Sequence, residues 1–246
     1  DYPDVGSNDT QLYSATLDLE LPFANFTSMT AHGKSHVDQI SDGDGSDLPI
    51  SIGSAWRLEA KQFSQEVRFA SNGDGALTWV VGGIYFRGRN FQDFAYSDLG
   101  YNNFGPTVPF DQFNFLSSGT SKTRALAAFG QFDYDFGKSG AGVPLILTVG
   151  LRYTNDRKSG FNALDYQLPL ACGGSCGVIS GPFSNTWNRV TGKVGLSYQV
   201  NDGTMVFASI ARGYLAGGNI TGLGNIYDPE TLTSFDAGVK SRFLDD

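Results

Sequence analysis

The chain has 246 residues, with 17 basic and 25 acidic side chains, a formal net charge of −8 and a pI near 4.7. This charge disfavours nucleic-acid binding, which needs clustered Lys and Arg, and no basic arm or stripe is visible along the sequence. The 32 glycines and 13% aromatic residues favour aromatic-rich β-strands joined by short turns. No apolar run of about 18 residues occurs, which excludes helical membrane spans, whereas a β-barrel strand crosses with about 9 to 11 residues.

Period-two alternation of apolar and polar residues predicts nine strands, and no helical period competes with it. Their ranges are 10–21, 24–34, 56–70, 76–90, 121–136, 143–157, 186–200, 204–215 and 231–244. In the clearest strand, Leu147, Val149 and Leu151 form an apolar face. Thr148 and Arg152 lie on the opposite face, because successive side chains of a strand point to opposite sides. In 76–90 and 204–215 both faces are apolar, so their facing stays unassigned.

The connections between the predicted strands alternate between short and long. The short ones are 21–23, 72–75, 137–140 and 201–203, mostly with tight-turn residues, and the long ones span about 35–55, 91–120, 158–185 and 216–230. An outer-membrane barrel has short turns at its periplasmic end and long loops outside. The expected fold is therefore all-β, an antiparallel up-and-down meander of about nine strands that forms part of a larger transmembrane β-barrel.

Two cysteines, Cys172 and Cys176, lie in the long segment 158–185. A loop exposed outside the cell is in an oxidising compartment, which favours a disulfide between them over a metal site, because no partner Cys or His pair accompanies them. His32 and His36 could hold a metal together only on a helix, which the pattern denies. We therefore expect no metal and no cofactor.

No catalytic residues are predicted. A Ser-His-Asp arrangement would have to use one of only two histidines, and the sequence contains no Gly-x-Ser-x-Gly motif.

The long segment 91–120 carries candidate ligand-binding aromatics among short polar residues. They are Tyr96, Tyr101, Phe104, Phe110, Phe113 and Phe115. Such a mixture makes an adaptable contact surface. Alternatively, the rings pack on one another to fold the segment.

A second candidate group consists of basic residues on the polar faces of the later strands. They are Arg152, Arg189, Lys193, Lys240 and Arg242. Facing the barrel lumen, they could attract an anionic chelate, or they could line the lumen merely to contact water and a plug.

Seven segments resemble, in the same order, the barrel strands of TonB-dependent outer-membrane receptors. They are 63–71 (FSQEVRFAS), 79–86 (WVVGGIYF), 129–134 (FGQFDY), 147–154 (LTVGLRYT), 190–198 (VTGKVGLSY), 211–219 (ARGYLAGGN) and 234–240 (SFDAGVK). Each is degenerate alone, but the ordered series is specific.

The resemblance implies a receptor in the bacterial outer membrane, with a barrel of about 22 strands around a folded plug. Such receptors import ferric siderophores, cobalamin, haem or glycans, driven through the TonB complex. Its partners would be that complex, reached through the plug region, a small-molecule or metal-chelate substrate, and outer-membrane lipid and lipopolysaccharide. No plug, coupling box or C-terminal barrel strand is recognisable, so residues 1–246 are expected to be an internal segment of the barrel.

Two other function classes stay open. A passive porin also has alternating strands, and an upstream plug sequence would argue against it. A secreted all-β carbohydrate-active protein would need paired carboxylates in a cleft and would be soluble without detergent.

Overall fold

The computed structural model describes residues 5–42, 52–98, 115–167, 175–219 and 226–242, almost all of them in β-strands. The strands are β1 Val5–Glu20, β2 Ala24–Asp42, β3 Ile52–Ser71, β4 Leu77–Asp98, β5 Phe115–Asp135, β6 Leu145–Gln167, β7 Ser175–Asn201, β8 Thr204–Leu215, β9 Gly218–Asn219, β10 Ile226–Tyr227 and β11 Glu230–Ser241. Nine form one antiparallel sheet in the order β1-β2-β3-β4-β5-β6-β7-β8-β11, and β9 pairs with β10 as a ribbon. Within these ranges no helix is long and apolar enough to cross a membrane.

The nine predicted strands and their meander order are confirmed, but the predicted loops are too long. β2 continues to Asp42, β4 to Asp98 and β6 to Gln167, so the loop ranges 35–55, 91–120 and 158–185 are wrong over much of their length. Beyond the apolar band, water solvates side chains on both faces, so the alternation fades while the backbone ladder continues. The fourth loop, 216–230, contains the ribbon.

The two faces of the sheet differ in burial. Along β6, Leu151 and Tyr153 are 62% and 48% exposed, whereas Thr154 and Asp156 are 9% and 8% exposed. Thr154 and Asp156 therefore lie on the more buried side of the sheet, and the β9–β10 ribbon lies over part of this side. We call this side the inner face and the opposite side the outer face.

Strand pairing extends this facing across the sheet. Val149 pairs with Val194, Val194 with Ile210, and Ile210 with Phe235, so these four side chains share the outer face. The same registers place the predicted apolar face of Leu147, Val149 and Leu151 on the outer side, together with Val194, Leu196, Ala237 and Val239. Arg152, Lys193, Asp236 and Lys240 share the inner face.

The two unassigned strands are also resolved by pairing. In β4, Ile84 pairs with the buried Ala127 and lies on the inner face, while Tyr85 lies on the outer face. In β8, Ile210 faces outward and Phe207 inward. Their patterns were ambiguous because the inner face carries apolar side chains as well.

A small polar cluster interrupts the outer face between β2 and β3. The Gln65 amide donates to the Ser28 hydroxyl at 2.9 Å and accepts from the Thr30 hydroxyl at 2.5 Å. Because the three groups satisfy one another, the cost of placing them against an apolar environment is reduced.

Candidate ligand-binding site on the inner face

A polar cavity of about 250 Å3 opens between the sheet and the β9–β10 ribbon, at the end of the sheet away from the tight turns. It is lined by Leu58, Asn90, Gln92, Gly119, Thr120, Ser121, Thr123, Lys158, Asn162, Gly218, Asn219 and Tyr227. Amides and hydroxyls predominate, and Lys158 contributes a positive charge. Such a lining suits a small ligand rich in oxygen atoms.

The ribbon reaches this cavity by folding back over the inner face. Asn219 and Tyr227 line it together with Asn90 of β4, yet β4 and β8 are separated by three intervening strands in the sheet. On the way, Gly217 passes so close to Trp187 that an added Cβ would lie 2.8 Å from the indole Cζ2. A glycine is required at this crossing because any side chain would meet the ring.

Asn162 supplies an unpartnered hydrogen-bond donor in the cavity wall. Its side chain is 4% exposed, and its Nδ2 has no hydrogen-bond partner. Gly119 lies directly opposite on β5 and contributes no side chain there. A buried unpaired donor is costly, and a ligand acceptor that reached it would remove that cost.

Asp156 is buried on the inner face, and the buried hydroxyl of Tyr214 in β8 lies close enough to influence its pKa. Both residues lie about ten residues or more along their strands from the tight turns. About ten residues are enough for a barrel strand to cross a bilayer, so both groups lie past the membrane-spanning part. Burial raises the pKa of the Asp156 carboxyl, and the Tyr214 hydroxyl opposes that rise. Burial and the neighbouring carboxylate raise the pKa of Tyr214 to about 12. Each of the two groups therefore keeps its proton to higher pH than the same group would when exposed to water.

The predicted basic residues are divided between the two ends of the inner face. Arg152 donates from Nε to the Thr154 hydroxyl at 3.1 Å, and Arg189 is paired with Thr154 on the next strand, so both belong to the end nearer the cavity. Lys193 pairs with Gly150 on the same face. Lys240 and Arg242 lie instead at the tight-turn end. The Lys240 Nζ is 5.6 Å from the centre of the Phe207 ring, and the Arg242 backbone N–H donates to the Gly203 carbonyl at 2.8 Å.

The predicted aromatic ligand contacts are largely outside the described residues. Tyr101, Phe104, Phe110 and Phe113 lie there entirely. Tyr96 and Phe115 form the last pair of the β4–β5 ladder, with only their backbone described.

The predicted disulfide also lies outside the described side chains. Cys172 is not described, and Cys176 is described only as backbone in β7.

The sequence analysis missed the cavity residues. Asn90 and Gln92 alternate with Arg89 and Phe91 at the strand period, which could have extended β4 into the supposed loop. The contribution of Asn219 and Tyr227 had no local signal, because it depends on the fold-back of the ribbon.

An antiparallel meander with a largely polar, more buried face, an apolar, exposed face and tight turns at one end has the features of a β-barrel wall. The chain belongs to the TonB-dependent receptor family: the family model described as TonB dependent receptor-like, beta-barrel, matches residues 1–246.

Solved receptors share this fold. The ferric yersiniabactin uptake receptor FyuA from Yersinia pestis matches with a TM-score of 0.76 and 17% identity, over 98% of this chain and 34% of that one. The siderophore receptor PiuA from Acinetobacter baumannii matches with a TM-score of 0.65 and 16% identity, over 98% and 38%. BauA, the ferric preacinetobactin receptor of the same species, matches with a TM-score of 0.57 and 16% identity, over 97% and 36%. The chain thus spans less than two fifths of the length of these receptors.

Proposed function

We propose that this chain is part of the barrel wall of an outer-membrane receptor for energy-coupled import of a small metal chelate, with a ferric siderophore as the first candidate. The tight turns would face the periplasm, and the extended hairpins would project outside. Coupling to the TonB complex would run through a plug region outside this chain.

The observation that carries the proposal is the polar cavity on the inner face with the unpaired Asn162 donor. Its amides, hydroxyls and Lys158 match a ligand that offers many oxygen acceptors. Arg152 and Arg189 would add positive charge on the path below, which suits an anionic chelate. The structural relatives include a siderophore receptor and receptors for ferric yersiniabactin and ferric preacinetobactin, which gives the class of ligand to test first.

The binding test uses the full-length receptor, purified in detergent and titrated with ferric catecholate, hydroxamate and carboxylate complexes while tryptophan fluorescence is recorded. Asn162→Leu and Lys158→Gln should weaken binding of the chelate that quenches the fluorescence. The control is Phe161→Leu, which changes the residue immediately before Asn162. Phe161 is 49% exposed on the outer face, so this variant should leave the affinity for the chelate unchanged. Equal affinities in all three variants would place the ligand elsewhere.

Uptake distinguishes the receptor from a passive porin. Cells that rely on this receptor should accumulate the labelled ferric chelate only with a functional TonB complex and a proton gradient. Uptake that persists after either is removed would favour a passive channel.

A further inference from the structure

The tight turn between β3 and β4 contains the single Asn-Gly step of the sequence, Asn72-Gly73. Both residues, and Asp74 and Gly75 after them, are exposed. In an Asn-X step, the backbone nitrogen of X can attack the side-chain amide carbon of the asparagine and close a succinimide ring. Glycine is the residue that least obstructs this attack, because it has no Cβ. The turn therefore has the composition that favours spontaneous deamidation.

The attacking group, the backbone nitrogen of Gly73, is not engaged elsewhere. Its N–H donates no hydrogen bond to any residue that the structure describes. Gly73 also lies outside the strands, so no bond of the sheet must break before the nitrogen moves. A Cβ placed on Gly73 would have no atom within 4 Å, which shows that the space around the residue is open.

The group under attack, the side-chain amide of Asn72, is oriented by one hydrogen bond. Its Nδ2 donates to the Leu21 carbonyl oxygen at 2.7 Å, in the neighbouring tight turn between β1 and β2. Its Oδ1 accepts no hydrogen bond within the described ranges, and the residue is exposed, so water can reach the amide carbon. The same hydrogen bond ties the two turns together, and we call it the turn tether.

Asn201 provides a comparison within the chain, because it lies in the tight turn between β7 and β8 and is also exposed. It is followed by Asp202, whose side chain crowds the attacking nitrogen. The Asn201 Oδ1 also accepts from the Gly203 backbone N–H at 3.0 Å, which holds the side chain toward a different nitrogen. Both differences predict that Asn201 deamidates more slowly than Asn72.

We propose that Asn72 is a site of spontaneous deamidation, and that this reaction breaks the turn tether. The Gly73 nitrogen forms a bond to the Asn72 side-chain carbon, and the amide nitrogen leaves as ammonia with the Gly73 N–H proton. Water then adds across one of the two ring C–N bonds, which restores an N–H at Gly73 and gives aspartate or isoaspartate. Either product carries a carboxylate, which accepts hydrogen bonds but donates none.

The new carboxylate cannot replace the amide at the Leu21 carbonyl, because two acceptors then face each other. The turn between β1 and β2 keeps its own hydrogen bond from the Leu21 N–H to the Ala24 carbonyl at 2.9 Å. Its connection to the turn between β3 and β4 is lost. The tight-turn end of the sheet should therefore open locally more often, while the ladder of the strands stays intact.

The first experiment measures the reaction by peptide mass spectrometry of the full-length receptor, purified in detergent and stored at mildly alkaline pH. Asn72 should lose its amide nitrogen before Asn201 does. Gly73→Ala adds a Cβ beside the attacking nitrogen at a position without positive φ, so it should fold and slow the loss several-fold. Asn72→Gln lengthens the side chain and should stop the loss on the same timescale. Slower reaction at Asn72 than at Asn201, or an equal rate in Gly73→Ala, would overturn the proposal.

The second experiment measures the turn tether by hydrogen–deuterium exchange of peptides that cover 20–24. Asn72→Asp places the carboxylate of the product in every molecule, and it should speed exchange in these peptides. The matched control is Asn201→Asp, which adds the same charge but can still accept from the Gly203 N–H, so exchange in its own turn should not change. Both variants are first checked for folding by heat-modifiable migration. Unchanged exchange at 20–24 in Asn72→Asp would refute the loss of the tether. Neither experiment depends on what the receptor imports, so failed uptake of a ferric chelate contradicts the proposed function alone.

Discussion

The ring of Phe129 lies against the backbone of Gly82 on the inner face, where the two residues are directly paired between β5 and β4. A Cβ added to Gly82 would lie 2.7 Å from the ring Cζ and 2.6 Å from the Val67 carbonyl oxygen. The glycine therefore provides the space in which the ring packs on the sheet, as cross-strand aromatic–glycine pairs do.

Gly82→Ala is expected to destabilise the barrel by about 1–3 kcal/mol, because both the ring and a backbone carbonyl must move. Gly150→Ala is the matched control, since the nearest atom to its added Cβ is 3.8 Å away. Urea unfolding of the refolded receptor in detergent measures both. If Gly82→Ala is as stable as Gly150→Ala, the ring does not occupy the position described.

Val149→Arg should reduce barrel stability far more than Thr148→Arg. Val149 lies in the apolar band of the outer face between Phe132 and Val194, where a basic side chain facing lipid costs about 2–4 kcal/mol. Thr148 faces inward and donates a hydrogen bond to Asp133, so an arginine there would meet a carboxylate. The measurement is the yield of folded, heat-modifiable receptor in outer-membrane fractions. Equal yields, or a lower yield for Thr148→Arg, would show that the faces are assigned in reverse.

The sequence predicted a strand and its facing well only where the two faces of the sheet meet different surroundings. Where the outer face meets lipid and the inner face meets water, as at Val149 and Thr148, the alternation of apolar and polar residues predicted the strand and its facing. In β4 it failed to predict facing, because inner-face residues such as Phe86 are apolar as well. Past the apolar band the alternation ended before the strand did.

The candidate site was less predictable than the fold. Asn162 and Asn219 are unremarkable polar residues in sequence, far apart and in segments expected to be loops. They line the same cavity because the ribbon folds across the inner face, and no local pattern encodes that arrangement. A row of basic side chains on the outer face was missed for the same reason, since Lys34, Lys61 and Arg89 become neighbours only through strand pairing.

The disulfide between Cys172 and Cys176 remains a prediction from their spacing in an exposed segment. Mass spectrometry of non-reduced peptides from the outer-membrane receptor should show the two cysteines linked, with Cys172→Ser as the control that frees Cys176. Two alkylatable thiols in the unaltered protein would contradict it.

Asp156 should make the stability of the receptor fall as the pH rises above the ordinary carboxyl range. Burial raises its folded pKa above the ordinary value of 3.8, so the unfolded chain releases this proton at lower pH than the folded chain does. The free energy of unfolding should therefore decrease between pH 3.8 and the folded pKa, and this contribution should be constant above it. Asp156→Asn should abolish the decrease, as measured by urea midpoints across that window.

Tyr214→Phe tests the cause of the same effect. The Tyr214 hydroxyl lowers the pKa of Asp156, so its removal should extend the decrease in stability to higher pH. It should also remove the loss of stability expected at alkaline pH, between the ordinary tyrosine pKa of 10.0 and the folded value of about 12, because the unfolded chain ionises first there. Two parallel pH profiles, for the unaltered receptor and Tyr214→Phe, would mean that the hydroxyl and the carboxyl are not coupled in the folded barrel.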